Sequence, residues 1–120
     1  MIRKFDLEDR LIDFATKCIK LFNNVGEVYA LEHLMKQVIR STTGAALNYG
    51  EAQGAESERD FIHKIGIVLK ELKESRVNLK IQLNAGLTND IEKAKSALAE
   101  SEELVAIFAK SLRTARTKKN

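Results

Sequence analysis

Residues 37–79 read QVIRSTTGAALNYGEAQGAESERDFIHKIGIVLKELKESRVNL, a spacing that describes two long helices joined by a very short break. In the second half, Phe61, Ile65, Val68, Leu72, Ser75, Leu79 and Leu83 step mostly by four and three. Such steps keep one face of a helix turned to one neighbour, at the shallow crossing angle of helical bundles. This helix is expected over 57–84, opened by Ser57 with Asp60 in the manner of a capping box. In the first half, Leu31, Leu34, Val38, Ala45 and Tyr49 are the apolar positions of a helix expected over 27–53. Its middle is built of small residues. A glycine inside a helix costs about 1 kcal/mol relative to alanine. Gly44, with Gly50 and Gly54 beyond it, therefore suggests that another helix crosses closely, with a local kink as the alternative.

The flanking sequence completes the pattern. Leu7, Leu11, Phe14, Cys18 and Leu21 form a heptad seam, with Ile12, Ala15, Ile19 and Phe22 widening its apolar face. That helix is expected over 6–23, with Asp6 as its cap and Asn23, Asn24 and Gly26 in the break that follows. A fourth helix is expected over 90–114, capped by Asn89 with Glu92. Ile91, Ala94, Leu98, Ser101, Val105, Phe108 and Leu112 make its seam. Four helices with short connections predict an all-α fold, an antiparallel up-down-up-down four-helix bundle.

Composition agrees with a single domain. The chain has 120 residues, 44% hydrophobic and 31% charged, with no proline and no tryptophan. A domain of that size buries roughly 65% of its unfolded surface. The net charge is +3, yet residues 113–120 alone carry Arg113, Arg116, Lys118 and Lys119 with no acid, so the other 112 residues sum to −1. The expected organisation is a bundle over 1–112 and a frayed basic tail over 113–120. Such a tail suits phosphate backbones or acidic surfaces, and equally a solubilising helix end that compensates the dipole. The opening residues lack the apolar core of a signal peptide, and no run reaches the ~18 apolar residues of a membrane span. The cytoplasm is the default compartment.

Gln37, Arg40, Gly44, Asn48, Glu51 and Ala55 share one face of the second helix. A buried arginine needs a carboxylate, because an unpaired buried charge is costly. Arg40 is therefore expected inside the bundle against Glu51, Glu71 or Glu74. The set Arg40, Asn48, Glu51, Glu71 and Glu74 reads as a polar network that fixes helix register, with a ligand or partner site as the sharper alternative. A di-metal carboxylate bundle needs Glu-x-x-His on two helices. The nearest match is Asp60-Phe-Ile-His63, unrepeated. Cys18 is the only cysteine and sits in a core seam, which fits a buried thiol rather than a nucleophile. There is no P-loop, dinucleotide fingerprint or zinc spacing. No catalytic, cofactor-binding or metal-binding residue is expected, and no small-molecule substrate is evident.

The run Gln37-Val-Ile-Arg40-Ser41-Thr42-Thr43-Gly44-Ala-Ala-Leu-Asn48-Tyr-Gly-Glu51-Ala52 resembles the signature of bacterial four-helix bundle proteins encoded in intervening sequences of 23S ribosomal RNA genes. The likeness continues through residues 56–64, Leu69-Lys70-Glu71 and Glu74, and includes Phe5-Asp6-Leu7 and Phe14-Ala15. It covers roughly residues 5–110. Two positions depart: Gly44 where the family often has serine, and Asn78 where it often has an aromatic residue. The resemblance implies a small non-enzymatic bundle. By analogy with the related accessory protein of diversity-generating retroelements, it also implies a homopentamer that binds RNA or a ribonucleoprotein partner. Arg113, Arg116, Lys118 and Lys119 are the expected nucleic-acid contacts. The runner-up is a protein-only scaffold, which an exposed apolar strip on the first or fourth helix would favour. A metal-dependent bundle enzyme is the remote third.

Overall fold

The computed structural model describes residues 6–22, 29–88 and 90–119, with Phe22 and Lys119 described by backbone alone. Four helices follow in order: α1 Leu7–Phe22, α2 Tyr29–Gln53, α3 Glu58–Asn84 and α4 Ile91–Lys119. No strand occurs among the described residues.

The helix ends follow from local hydrogen-bond chemistry. The Asp6 carboxylate accepts the Asp9 N–H at 3.0 Å, and the Ser57 hydroxyl accepts the Asp60 N–H at 3.0 Å. Each satisfies a backbone donor that the helix itself leaves unpaired. At α4 the cap is Asp90, whose Oδ1 accepts the Lys93 N–H at 3.1 Å. The expected cap Asn89 lies outside the described residues, as do the start expected for α2 at Glu27 and the break over 23–26. At the end of α3, Leu87 N–H donates to the Gln82 carbonyl and Gly86 N–H to that of Leu83. Gly86 has φ 64°, the left-handed conformation that this closing motif requires.

α4 runs on to Lys119, five residues past the expected end at Thr114, so the basic segment is helical over 113–119. Nothing in TARTKK breaks a helix, and cations in a last turn complement the negative end of the macrodipole.

α1 packs on α2 and α4, and α3 packs on the same two, while the backbones of α1 and α3 stay apart. The four helices therefore stand at the corners of a bundle. Along α2 and α3 the contacts run in opposite order. The Leu34 carbonyl accepts from Asn78, Ser41 meets Ser75 and Glu51 meets Lys64. Leu11, Phe14, Met35, Val38, Ile65, Leu72, Leu79, Leu104 and Phe108 are almost wholly buried. Tyr49 sets its ring edge-on to Phe108, with centroids 5.5 Å apart. Burying such side chains contributes about 1.5–3 kcal/mol each.

Three apolar side chains depart from the expected core. Ile12 and Ile19 are 47% and 40% exposed, and Ile91 is 54% exposed. Leu11, Phe14, Ala15 and Cys18 already fill the space between α2 and α4. Residues one step further around α1 are left on its outer side.

Candidate nucleic-acid interface

On the outer side of α3, Arg59, His63, Gly66 and Lys70 step by four, three and four and so share one stripe. The C-terminal turns of α4 pass beside it. Arg116 joins Arg59, His63 and Lys70 around a concavity of about 460 Å³ whose remaining lining is Ile62, Gly66 and Ile67. All four polar side chains are on exposed residues. No carboxylate lines the hollow. Nothing lies within 4 Å of where a Cβ on Gly66 would stand, so the backbone there is open to approach. Arginine guanidinium forks match phosphate oxygens bidentately, and lysine adds a point charge. Elsewhere, cations such as Arg10, Lys36 and Lys64 are engaged by Glu100, Glu32 and Glu51.

The expected contact residues divide. Arg116 enters this hollow. Lys118 instead borders a second groove of about 750 Å³, floored by Leu7, Phe61, Ile107 and Ala115. Arg113 is exposed and lines neither. The side chain of Lys119 lies outside the described residues. The sequence reading does not join Arg59, His63 and Lys70 as a contact set, because the apolar seam beside them dominates the spacing of α3. The signal was the same four-three step, displaced around the helix.

The polar set on α2 and α3 is arranged differently from the expectation. Arg40 is a surface residue, its side chain 64% exposed and its guanidinium 3.8 Å from Glu74. It donates to Gln37 Oε1 at 2.9 Å. It is not buried, because its position on α2 faces outward and solvent meets its charge at lower cost than the core would. Asn48 donates to the Gly44 carbonyl, one turn back on its own helix, and Glu51 pairs with Lys64 at 2.6 Å. The Glu71 carboxylate occupies the notch at Gly44, where a Cβ would strike its Oε2. The notch thus admits a side chain rather than a neighbouring backbone. Burial raises the Glu71 carboxyl above its ordinary range, the charge of Glu74 adds to the rise, and Arg40 and Lys70 oppose it.

The buried polar contacts between α2 and α3 are made by smaller groups. Ser41 and Ser75 share a 2.6 Å hydroxyl hydrogen bond, and Ser75 also donates to the Glu71 carbonyl. Asn78 donates to the Leu34 carbonyl at 2.9 Å while accepting from Gln82 Nε2 at 2.7 Å. Gln82 Oε1 is buried with no partner.

For nucleophilic or metal chemistry the geometry offers little. Desolvation pushes the buried Cys18 thiol up to about 12, so it stays protonated near neutral pH. His33 is exposed and stacks beside Tyr29, with centroids 6.2 Å apart. Among the described residues no three His, Cys, Asp or Glu side chains gather as a metal site, and no helix is long and apolar enough to cross a membrane.

The family model of the 23S rRNA-intervening sequence proteins matches residues 3–110. No curated protein matches the chain. Among solved structures, one similar chain is a protein with unknown function from the S23 ribosomal protein family of Bacteroides thetaiotaomicron VPI-5482. It is 26% identical, with a TM-score of 0.79 over 89% of this chain and 98% of that one.

Proposed function

The chain belongs to the 23S rRNA-intervening sequence protein family, and from that premise we propose that it is a non-enzymatic, homo-oligomeric interaction module that holds RNA or a ribonucleoprotein partner. The reading takes the bundle as antiparallel throughout, up-down-up-down, which the opposed order of contacts along α2 and α3 supports. It takes the assembly as a pentamer by resemblance to related bundles, and the compartment as the cytoplasm. The observation that carries it is the hollow where Arg59, His63, Lys70 and Arg116 converge with no acid in the lining. Attachment is electrostatic: each phosphate neutralised releases counterions, which makes affinity fall with salt.

The test is fluorescence anisotropy with labelled mixed-sequence RNA, single-stranded and duplex, across a salt series. The double substitution R59Q/R116Q is expected to weaken binding and to flatten the salt slope by about two phosphate contacts. R113Q/K118Q is expected to change it less. Equal affinity and slope in R59Q/R116Q would remove the hollow from the mechanism, and no binding by the wild type would remove RNA.

Docking of another protein draws its own support from Ile12 and Ile19, which give α1 the exposed apolar strip that such a role requires.

A further inference from the structure

The stripe on α3 that carries the phosphate hollow does not stop at Lys70. Lys73, Val77 and Ile81 continue it by steps of three, four and four, so one outer face of the helix runs from basic to apolar. Its C-terminal half borders a groove of about 660 Å³, lined by Leu34, Leu69, Val77 and Ile81 with Lys73 at its edge. Val77 and Ile81 are 50% and 46% exposed. Gly66 and Lys70 line both the groove and the hollow, so the two adjoin. The polar groups of the groove are engaged. Glu74, its carboxylate, stands 3.8 Å from the Arg40 guanidinium. Asn78, its amide, is bonded to the Leu34 carbonyl and to Gln82. The groove therefore offers apolar contact rather than a hydrogen-bond code.

We propose that this face takes an unpaired RNA strand, its phosphates in the hollow and a base laid in the groove against Val77 and Ile81. The inference rests on the RNA reading above and names the form of RNA that the site holds. A duplex turns its phosphates outward and keeps its base faces stacked inside. It can use the cations of the hollow but leaves the apolar groove bare. An unpaired strand carries both chemistries along its length, charged phosphates and flat base faces that are free to pack on the protein. The face is long enough to meet both. Arg59 to Ile81 spans twenty-two residues, about 33 Å of helix. Lys70, at the junction, is placed to hold a phosphate next to the base in the groove. Because the groove touches the base by its face, the preference is for unpaired over paired RNA and tolerates changes of sequence.

Fluorescence anisotropy on the full chain tests this with three labelled probes of about twelve nucleotides. They are a mixed-sequence single strand, the same strand without its bases, and the duplex. Wild type is expected to bind the single strand about tenfold more tightly than the abasic strand, whose charge is the same. V77S/I81S, changed at exposed positions, is expected to lose that preference, while its affinity for the duplex and its salt slope stay at the wild-type values. R59Q/R116Q is expected to weaken binding of all three probes. Circular dichroism checks that the variants fold. If V77S/I81S does not, I81S alone takes its place with a smaller loss of the same preference, and the abasic comparison in wild type needs no variant. Equal binding of the base-bearing and abasic strands by wild type, or a preference that survives in V77S/I81S, would overturn the groove's part and leave the electrostatic reading standing. A wild type that binds none of the probes would remove both.

Discussion

A glycine and a glutamate on facing helices illustrate how one residue's shape sets another's charge. Glu71 fits beside α2 because Gly44 has no Cβ, and the resulting burial is what raises its carboxyl. A raised value means that the folded chain holds the proton more tightly than the unfolded one. The associated stabilisation is complete below the ordinary carboxyl range and is lost as pH rises through the raised value. Ionised Glu71 is then a burden at neutral pH. E71Q is expected to raise the thermal midpoint at about pH 7 and to leave it unchanged near pH 3, where both states are protonated. An unchanged midpoint at neutral pH would mean that solvent already screens the charge. Gly44→Ala probes the same contact from the other side. The group in the way is the far end of a flexible side chain, which can swing out. In urea melts, G44A is expected to stay within about 1 kcal/mol of wild type, and to show the alanine preference of about 1 kcal/mol in an E71A background. A loss above about 2 kcal/mol in wild type would show that Glu71 cannot move.

Between elements, α2 and α3 are held in register by short polar side chains inside an apolar seam. Asn78 is their centre, bonded to the Leu34 carbonyl and to Gln82. N78A leaves the buried Gln82 amide without that partner, and is expected to cost about 1–3 kcal/mol in chemical denaturation. N78A/Q82L is expected to recover part of the loss, because the orphaned amide goes with its partner. A double variant as unstable as the sum of the singles would argue against the coupling. This contact marks the limit of what the sequence showed. The seams were legible: Leu11, Phe14, Cys18, Val38, Ile65, Leu72, Leu79 and Phe108 sit where four-three spacing put them. Spacing gives the direction of a side chain about its own helix but not the depth of the neighbour it meets. Spacing alone therefore predicts Ile12 and Ile19 in the core and Arg40 inside the bundle, and the structure places all three at the surface. Asn78 stands out in the sequence only as a departure from the family pattern, and Gln82 beside the seam carries no signal of its own. The end of α4 was misplaced for a different reason, since a charged segment of good helix formers carries no stop signal and its composition was read as a tail. Among the described side chains of that segment Arg116 is the one that meets the α3 cations, a convergence that depends on tertiary placement.

At the scale of the whole molecule, the chain's first and last helices close the bundle, and a charged clamp fastens them. Arg10 donates to both oxygens of Glu100, at 2.8 and 3.1 Å, and reaches Glu103 at 3.3 Å. The hydrogen bond to Glu100 is the main reason that its guanidinium holds its proton more tightly than usual. The Glu100 side chain is only 18% exposed, and the Arg10 side chain 31%. This pair therefore differs from an open surface bridge, whose contribution is about 0–1 kcal/mol. Removing the arginine alone leaves a half-buried carboxylate without its partner, which costs more than the pair contributed. R10A is expected to destabilise by about 1–3 kcal/mol. R10K is expected to recover only part, because an ammonium cannot bind both carboxylate oxygens as a planar fork does. R10A/E100A is expected to be more stable than R10A, since the unpaired charge goes with its partner. Hydrogen exchange locates the effect: if Arg10 fastens the closing pair, R10A speeds exchange in α1 and α4 and leaves the paired centre of α2 and α3 protected. Uniformly faster exchange, or R10K matching wild type, would show that apolar packing alone closes the bundle.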